Sequence, residues 1–304
     1  MPEFPDIEVY REAISEKVQD QDLLQVQILN PFVMRTAVPP VSNVNGRRVI
    51  GISRMGKRIV FGLTDHHWLV IHLMIAGRLQ WFDVPSSQKA KGKPRKPPGG
   101  KQTLARLDFS TGSLYLTEAG TKRRASIHLL VGDDALQALD PGGLEVMQAD
   151  FEEFCERVRA ENHTLKRTMT DPKILSGIGN AYSDEILHHA RLSPMILTAM
   201  ADDKTLRRLY DSIRQVLTQW TDLLREQSLS NGGFPSKVTA FHEQMAVHGR
   251  FGQPCPVCGA KVQRIRYASN ETNYCARCQT NDTVLRDRAL SKLLKASWPG
   301  KLEE

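Results

Sequence analysis

No stretch of this sequence stays apolar for the roughly 18 residues that a bilayer-spanning helix needs, so an integral helical membrane protein is excluded. A basic N-terminal region leading into an apolar run is also missing, so no secretory signal is read and a cytoplasmic protein is expected. No internal repeat is present, which argues against a solenoid or propeller. Cysteine is scarce: of five, four form two C-x-x-C pairs near the C-terminus and only Cys155 is left over, in the apolar-periodic "DFEEFCERV". There a buried structural thiol is the simplest reading. In a reducing compartment paired C-x-x-C units point to zinc before disulfides.

What is present fits a globular protein of 304 residues, 40% hydrophobic and 25% charged, long enough for two domains with proper cores. A net charge of +7 and a pI near 9.2 are compatible with nucleic acid, an anionic membrane, or neither. The first half reads as strands: "LLQVQIL", "RRVIGIS", "KRIVFGL", "WLVIHLMI", then "LARLDF" and "SLYLTE" around the turn signal "STG". Residues 85–101 carry six basic residues and four prolines with no apolar anchor, and read as a mobile loop, either an inert insertion or a tether for phosphates. From about residue 134 the pattern turns helical. In the long segment 203–227, Leu206, Leu209, Ile213, Leu217, Trp220 and Leu224 keep a helical period and mark a core helix. "SLSNGGFPSK" reads as a flexible break. These patterns give an α+β chain with a β-rich domain over 1–138, a boundary at "LDPGGLE" (139–145), a helical domain over 146–240 and a small cysteine module over 246–290.

The strongest local signal is C-x2-C-x16-C-x2-C, with Cys255, Cys258, Cys275 and Cys278 as ligands. Four thiolates complete the tetrahedron of one Zn²⁺ and leave no open position for water, so the metal is structural. The alternating segment between the pairs suggests a β-hairpin tipped near Ser269–Glu271, either a stability staple or a probe for a nucleic-acid groove. In "ILSGIGNAYSDEIL", Gly177 and Gly179 allow a tight turn, and Asn180 is placed to cap the next helix. A helix start of this kind can hold an anion, and Lys166 upstream could add a point charge, although an ordinary turn and cap explains the same residues. "SRMGKRIVF" places Gly56 and Lys57 at a turn between strands, where Lys57 is a presented ammonium or a plain surface lysine. His72, in "VIHLMIAG", is by default a satisfied core histidine.

Together "PEFPDIE", "GK" at 56–57, "IHLMIAGRL" at 71–79, "DPKILSGIGNAYSDEIL" at 171–187, "VHGRFGQPC" and the four cysteines resemble the formamidopyrimidine-DNA glycosylase and endonuclease VIII family, nearly end to end. The resemblance implies an N-terminal β-sandwich flanked by helices, a helix–two-turn–helix element with a zinc β-hairpin, and a bifunctional DNA glycosylase/apurinic-site lyase of base excision repair. It implies a monomer whose partner is damaged DNA, with one structural zinc and no membrane association. Pro2, exposed as a secondary amine once Met1 is removed, takes the role of nucleophile. An α-amino group has a pKa near 7.7–8.0 and is neutral in a useful fraction of molecules near neutral pH. Glu3 takes the role of acid, and Lys57 that of phosphate holder and second proton donor. His72, Lys166, Asn180, Arg123, Arg124 and Asn270 are the implied DNA contacts.

Several positions depart from the family pattern. Asp6 stands where the family usually has Glu. The wedge Met that fills the gap left by a flipped nucleotide falls at Ile75, with Met74 one place early. "EAGTKRRASI" offers Arg123 and Arg124 but no aromatic, and the Arg of the hairpin tip is replaced by Asn270. These departures leave a rival reading open: a lesion- or abasic-site-binding protein of the same fold with mainly lyase activity or no base excision. A zinc-ribbon nucleic-acid binder without catalysis is a third, and the retained Pro2, Glu3 and Lys57 count against it.

Overall fold

The computed structural model describes residues 1–84, 97–120, 122–235, 242–267, 270–287 and 300–302, with only the backbone of Tyr267 and Asn270. Most of the basic loop expected over 85–101, and Ser269 of the expected hairpin tip, lie outside these residues. The chain divides into two units: Met1–Pro141 with Thr221–Val238, and Gly142–Trp220 with Thr239–Glu304.

The first unit opens with helix α1 (Phe4–Val18). Pro5 sits in its first turn, where a missing N–H removes no hydrogen bond, and Asp6 accepts the Glu3 N–H at 2.8 Å. Ile7, Tyr10, Ile14 and Val18 are its buried stripe. Two antiparallel sheets follow. The first has five strands in the order β1 (Asp22–Leu23), β3 (Arg47–Met55), β4 (Arg58–Leu63), β5 (His67–His72) and β9 (Ser126–Val131). The second has four, in the order β2 (Gln25–Ile28), β7 (Thr103–Asp108), β8 (Gly112–Glu118) and β6 (Gly77–Asp83). The chain changes sheets at the exposed Leu24, between β1 and β2.

Phe61, Leu69 and Ile71 of one sheet, Leu79, Leu107 and Leu116 of the other, and the stripe of α1 share a single core. Each such side chain contributes roughly 1.5–3 kcal/mol by leaving water. On the outer face of the larger sheet, Met55, Val60 and Val70 pack with Leu136 and Leu139 of helix α2 (Asp133–Leu139). Helices therefore flank the paired sheets, as the resemblance implied. Strands β6 and β9 are additions to the sequence reading, which takes their residues first as motifs. Each stands at the end of its sheet.

The second unit holds α3 (Phe151–Arg159), α4 (Leu165–Thr170), α5 (Asn180–His189), the larger part of α6 (Asp203–Ser230), the hairpin β10 (Gln263–Tyr267) and β11 (Asn270–Tyr274), and α7 (Ala276–Thr280). The six periodic residues of α6, from Leu206 to Leu224, are all buried. The sequence reading assigned this whole helix to the helical domain, but from Thr221 on it groups with the first unit. The reading of "SLSNGGFPSK" as a flexible break also needs correction over its described residues, 228–235. The helix continues to Ser230, and Phe234 packs on the first unit's core with its ring 5.8 Å from that of Tyr10. Among the described residues no helix is long and apolar enough to cross a membrane.

Candidate active site and metal centre

In the first unit the N-terminal amine, Glu3, Asp6, Lys57 and Arg78 lie close enough to bias one another's charge. Pro2, Glu3 and Asp6 are buried at the start of α1. Burial pushes the Met1 amine, one residue ahead of Pro2, below its ordinary value, while the Glu3 and Asp6 carboxylates oppose that shift. Burial also pushes the Asp6 carboxyl up to about 7, against the hydrogen bond from Glu3 that favours its anion. The site thus holds a carboxyl that titrates near neutrality beside an amine whose proton burial loosens.

Lys57 is delivered by the tightest connection the two strands allow. Met55 pairs with Arg58, so Gly56 and Lys57 alone form the turn between β3 and β4, and Gly56 takes φ +59, where a side chain would be strained. Burial lowers the Lys57 ammonium, and the Glu3 carboxylate partly offsets this. Arg54 fixes the turn against the helix. Its Nε donates to Glu8 Oε1 at 2.8 Å, its Nη1 donates to the Gly56 carbonyl at 2.8 Å, and its guanidinium lies 4.4 Å from the centre of the Phe4 ring. Sequence reasoning missed Arg54 and Arg78. Both are ordinary arginines beside the motifs, and only the strand pairing brings them to the amine end of α1.

The turn Leu73–Gly77 projects Ile75, which is 62% exposed, with Met74 held in the left-handed region at φ +54. The Gly77 N–H closes the turn on the Leu73 carbonyl at 2.9 Å. A Cβ at Gly77 would fall 2.2 Å from that oxygen, so the position admits glycine alone. Arg78 Nη1 donates to the Ile75 carbonyl at 3.1 Å. His72 pairs with Arg58 and Ser126 across the sheet. Burial, helped by Arg58, Lys57 and His128, pushes its imidazole down to about 4, so at neutral pH it offers a donor without charge. Its Nε2 is buried without a hydrogen-bond partner among the described residues, which corrects the default of a satisfied core histidine. The segment bearing Arg123 and Arg124 is pinned by Glu118, whose buried carboxylate accepts the Arg124 and Ala125 N–H groups at 2.9 Å each. Arg123 lines a cavity of about 460 Å³ with Leu29, Asn30 and Lys101.

In the second unit two expected phosphate contacts have other work. Gly179 is the residue that precedes α5, and Asn180 is the first residue inside it, so Asn180 is not the cap. Its side-chain amide donates to the Glu271 carbonyl of β11 at 2.9 Å. Lys166 is also committed. It forms an ion pair with Asp184, and its Nζ donates to the Asn180 carbonyl at 3.2 Å and to Ser183 Oγ at 3.1 Å. An ammonium has three donor hydrogens, and in the DNA-free chain these acceptors engage them. Asp184, which has no exposed surface, also accepts from His248 at 2.8 Å and from the Asn273 N–H at 3.1 Å.

The four cysteine sulfurs lie within 4.8 Å of one another, with Cys258 and Cys275 at 3.4 Å and Cys255 and Cys278 at 3.9 Å. A tetrahedron with Zn–S near 2.3 Å needs sulfurs about 3.8 Å apart, so this donor set fits one zinc ion. Asn270 opens β11 opposite Tyr267, at the end of the hairpin away from the cysteines.

Models of three domain families match in order: the formamidopyrimidine-DNA glycosylase N-terminal domain over residues 1–125, its H2TH domain over 139–226, and the zinc finger found in FPG and IleRS over 252–281. A formamidopyrimidine-DNA glycosylase of Heliobacterium modesticaldum is 30% identical over 286 residues, covering 92% of this chain and all of its own. The chain belongs to the formamidopyrimidine-DNA glycosylase family. Among solved structures, the MutM (Fpg) protein of Thermus thermophilus matches with a TM-score of 0.73 at 29% identity, over 91% of this chain and 98% of its own. Wild-type Lactococcus lactis Fpg, solved with DNA containing an oxidised pyrimidine, matches at 0.75 and 25% identity, over 92% and 100%. Family membership gives the amine cluster, the Ile75 turn and the cysteine hairpin one common context.

Proposed function

We propose that this chain is a bifunctional DNA glycosylase and apurinic-site lyase that excises oxidised or otherwise damaged bases, acting as a cytoplasmic monomer in base excision repair. The observation that carries the proposal is the buried cluster of Pro2, Glu3 and Asp6 at the start of α1, with Lys57 close enough to feel the Glu3 charge. With Met1 removed, the Pro2 nitrogen is the nucleophile. Its lone pair bonds to C1′ of the damaged nucleotide, the base departs, and Glu3 protonates the sugar ring oxygen as the C1′–O bond opens to an iminium. A secondary amine gives a cationic iminium directly, which acidifies the C2′ proton and expels the 3′ phosphate. Asp6, titrating near neutrality, is suited to take the proton that Pro2 must lose before attack. Lys57 holds the phosphate beside the lesion. His72, Arg123, Arg124 and Asn270 make further backbone contacts, joined by Asn180 from its place beside the hairpin. Ile75 fills the gap left by the flipped nucleotide. Cys255, Cys258, Cys275 and Cys278 hold one structural zinc that stiffens the hairpin.

Borohydride should reduce the iminium and trap a covalent adduct on abasic DNA, and Pro2→Gly should weaken trapping. An N-terminal tag left in place should abolish it by making the amine an amide. Trapping that survives the tag would move the nucleophile to a lysine and defeat the reading. The rival, a lyase without base excision, is favoured by the absence of any aromatic in "EAGTKRRASI". Cleavage of abasic DNA but of no oligonucleotide in a lesion panel would decide for it.

A further inference from the structure

The zinc-finger match ends at residue 281, yet the chain continues and folds back on the hairpin. The Leu285 N–H donates to the Tyr274 hydroxyl at 2.7 Å, and the Arg266 N–H donates to Asp287 Oδ2 at 2.6 Å. Asp287 is 1% exposed. Leu285 and Leu302 pack on Ile265, Tyr274 and Ala276, which are fully buried. The Leu302 N–H donates to the Asp282 carbonyl at 2.9 Å, and Thr283 bridges Lys301 in antiparallel pairing, so residues 282–287 and 300–302 form one patch.

A hairpin of two strands is marginal in water by itself, and its outer N–H groups have no partner strand. The metal ligands flank its base, with Cys258 ahead of β10 and Cys275 directly after β11. The rung Arg266–Glu271 is one step from the far end, beyond the reach of those cysteines. Asp287 takes up the outward N–H of that rung. On the other side the hairpin is held by the Asn180 amide at Glu271 and by Asp184 at Asn273. We propose that residues 282–287 and 300–302 are a brace that sets the hairpin in its DNA-binding conformation, with Asp287 as the positioning residue. The DNA-binding half of this inference rests on the proposed function above. The brace itself does not.

The test uses the full chain with zinc bound, in three variants: Asp287→Ala, Asp287→Asn and Tyr274→Phe. Amide hydrogen exchange of the free protein reads the brace. Asp287→Ala should speed exchange at the Arg266 amide by about tenfold, the scale of one hydrogen bond, while zinc content stays at one per chain. Asp287→Asn, whose amide oxygen still accepts, should restore most of the protection. Tyr274→Phe should loosen Leu285 in the same way, and carries the test if Asp287→Ala does not fold. Affinity for a duplex with an abasic-site analogue should fall several-fold in Asp287→Ala and recover in Asp287→Asn. Unchanged exchange at Arg266 overturns the brace. Faster exchange with unchanged DNA affinity overturns the positioning role. Wild-type protein that fails to bind the duplex at all would instead sink the proposed function, while the exchange result would still decide the brace.

Discussion

Asp6 shows how one residue couples the fold to the chemistry. It receives the Glu3 N–H as the helix begins, and burial lifts its carboxyl from an ordinary 3.8 to about 7. A carboxyl whose folded pKa is raised favours the protonated form. Its contribution to stability is complete below the unfolded value and is lost as pH rises toward 7, at about 1.4 kcal/mol for each unit between the two values. The melting temperature of Asp6→Asn relative to wild type should therefore climb between pH 4 and pH 7 and level off above. A difference that stays flat over that window in calorimetry would mean that Asp6 is ionised throughout. In borohydride trapping both proteins should lose rate at low pH as the amine protonates, and Asp6→Asn should be slower than wild type above about pH 7, where only the wild type has a carboxylate to accept the proton. The sequence made Glu3, Asp6 and Lys57 legible because each lies in a short motif. Arg54 was not legible, because its importance comes from meeting Glu8 and the Gly56 carbonyl across a sheet.

Among the elements, the two hairpins present their chemistry by different means. The turn at Gly56–Lys57 is fixed by its backbone conformation and by Arg54, and was legible as a Gly-Lys pair between strands. The hairpin β10–β11 is fixed by four thiolates, by α5 and by the segment after residue 281. Only the cysteines announced themselves in sequence, because the contacts of Asn180, Asp184 and Asp287 with it span long stretches of chain. At the far end of this hairpin an amide at Asn270 replaces the guanidinium that the family pattern leads one to expect. A guanidinium holds two phosphate oxygens with a fixed charge, while an amide lends donors only. Cleavage of abasic DNA should therefore stop mostly at the unsaturated-aldehyde 3′ end, and Asn270→Arg should raise the share of 3′-phosphate and tighten binding. Product analysis on a sequencing gel reads both, and mainly 3′-phosphate from wild type would count against this account. Asp184 calls for a separate prediction. Lys166, His248 and Asn273 all converge on it, so Asp184→Asn leaves a buried ammonium without its counter-charge and should cost about 3–5 kcal/mol in denaturant unfolding.

For the whole molecule, the net charge of +7 has a direct reading once the family is known. Binding to undamaged duplex should weaken steeply with salt, because each neutralised phosphate adds about −0.9 to the slope of log affinity against log salt. A flat response in a fluorescence titration would remove the case for a surface that tracks phosphates. The fold class was legible from the change of period near residue 134, but the grouping of Thr221–Val238 with the first unit was not. A sequence is read as consecutive domains, and here the first unit takes back Thr221–Val238 after the second has begun. That return is held by Arg225, whose guanidinium grips both oxygens of Glu12 at 2.8 and 2.9 Å, and by Phe234 against Tyr10. On a ribosome this has a consequence in time. The helix that follows Pro2 and Glu3 is made some two hundred residues ahead of the segment that covers its flank. Two matching edges of one core thus wait for each other across most of the synthesis of the chain, and a polypeptide ending at residue 141 would emerge with that flank bare.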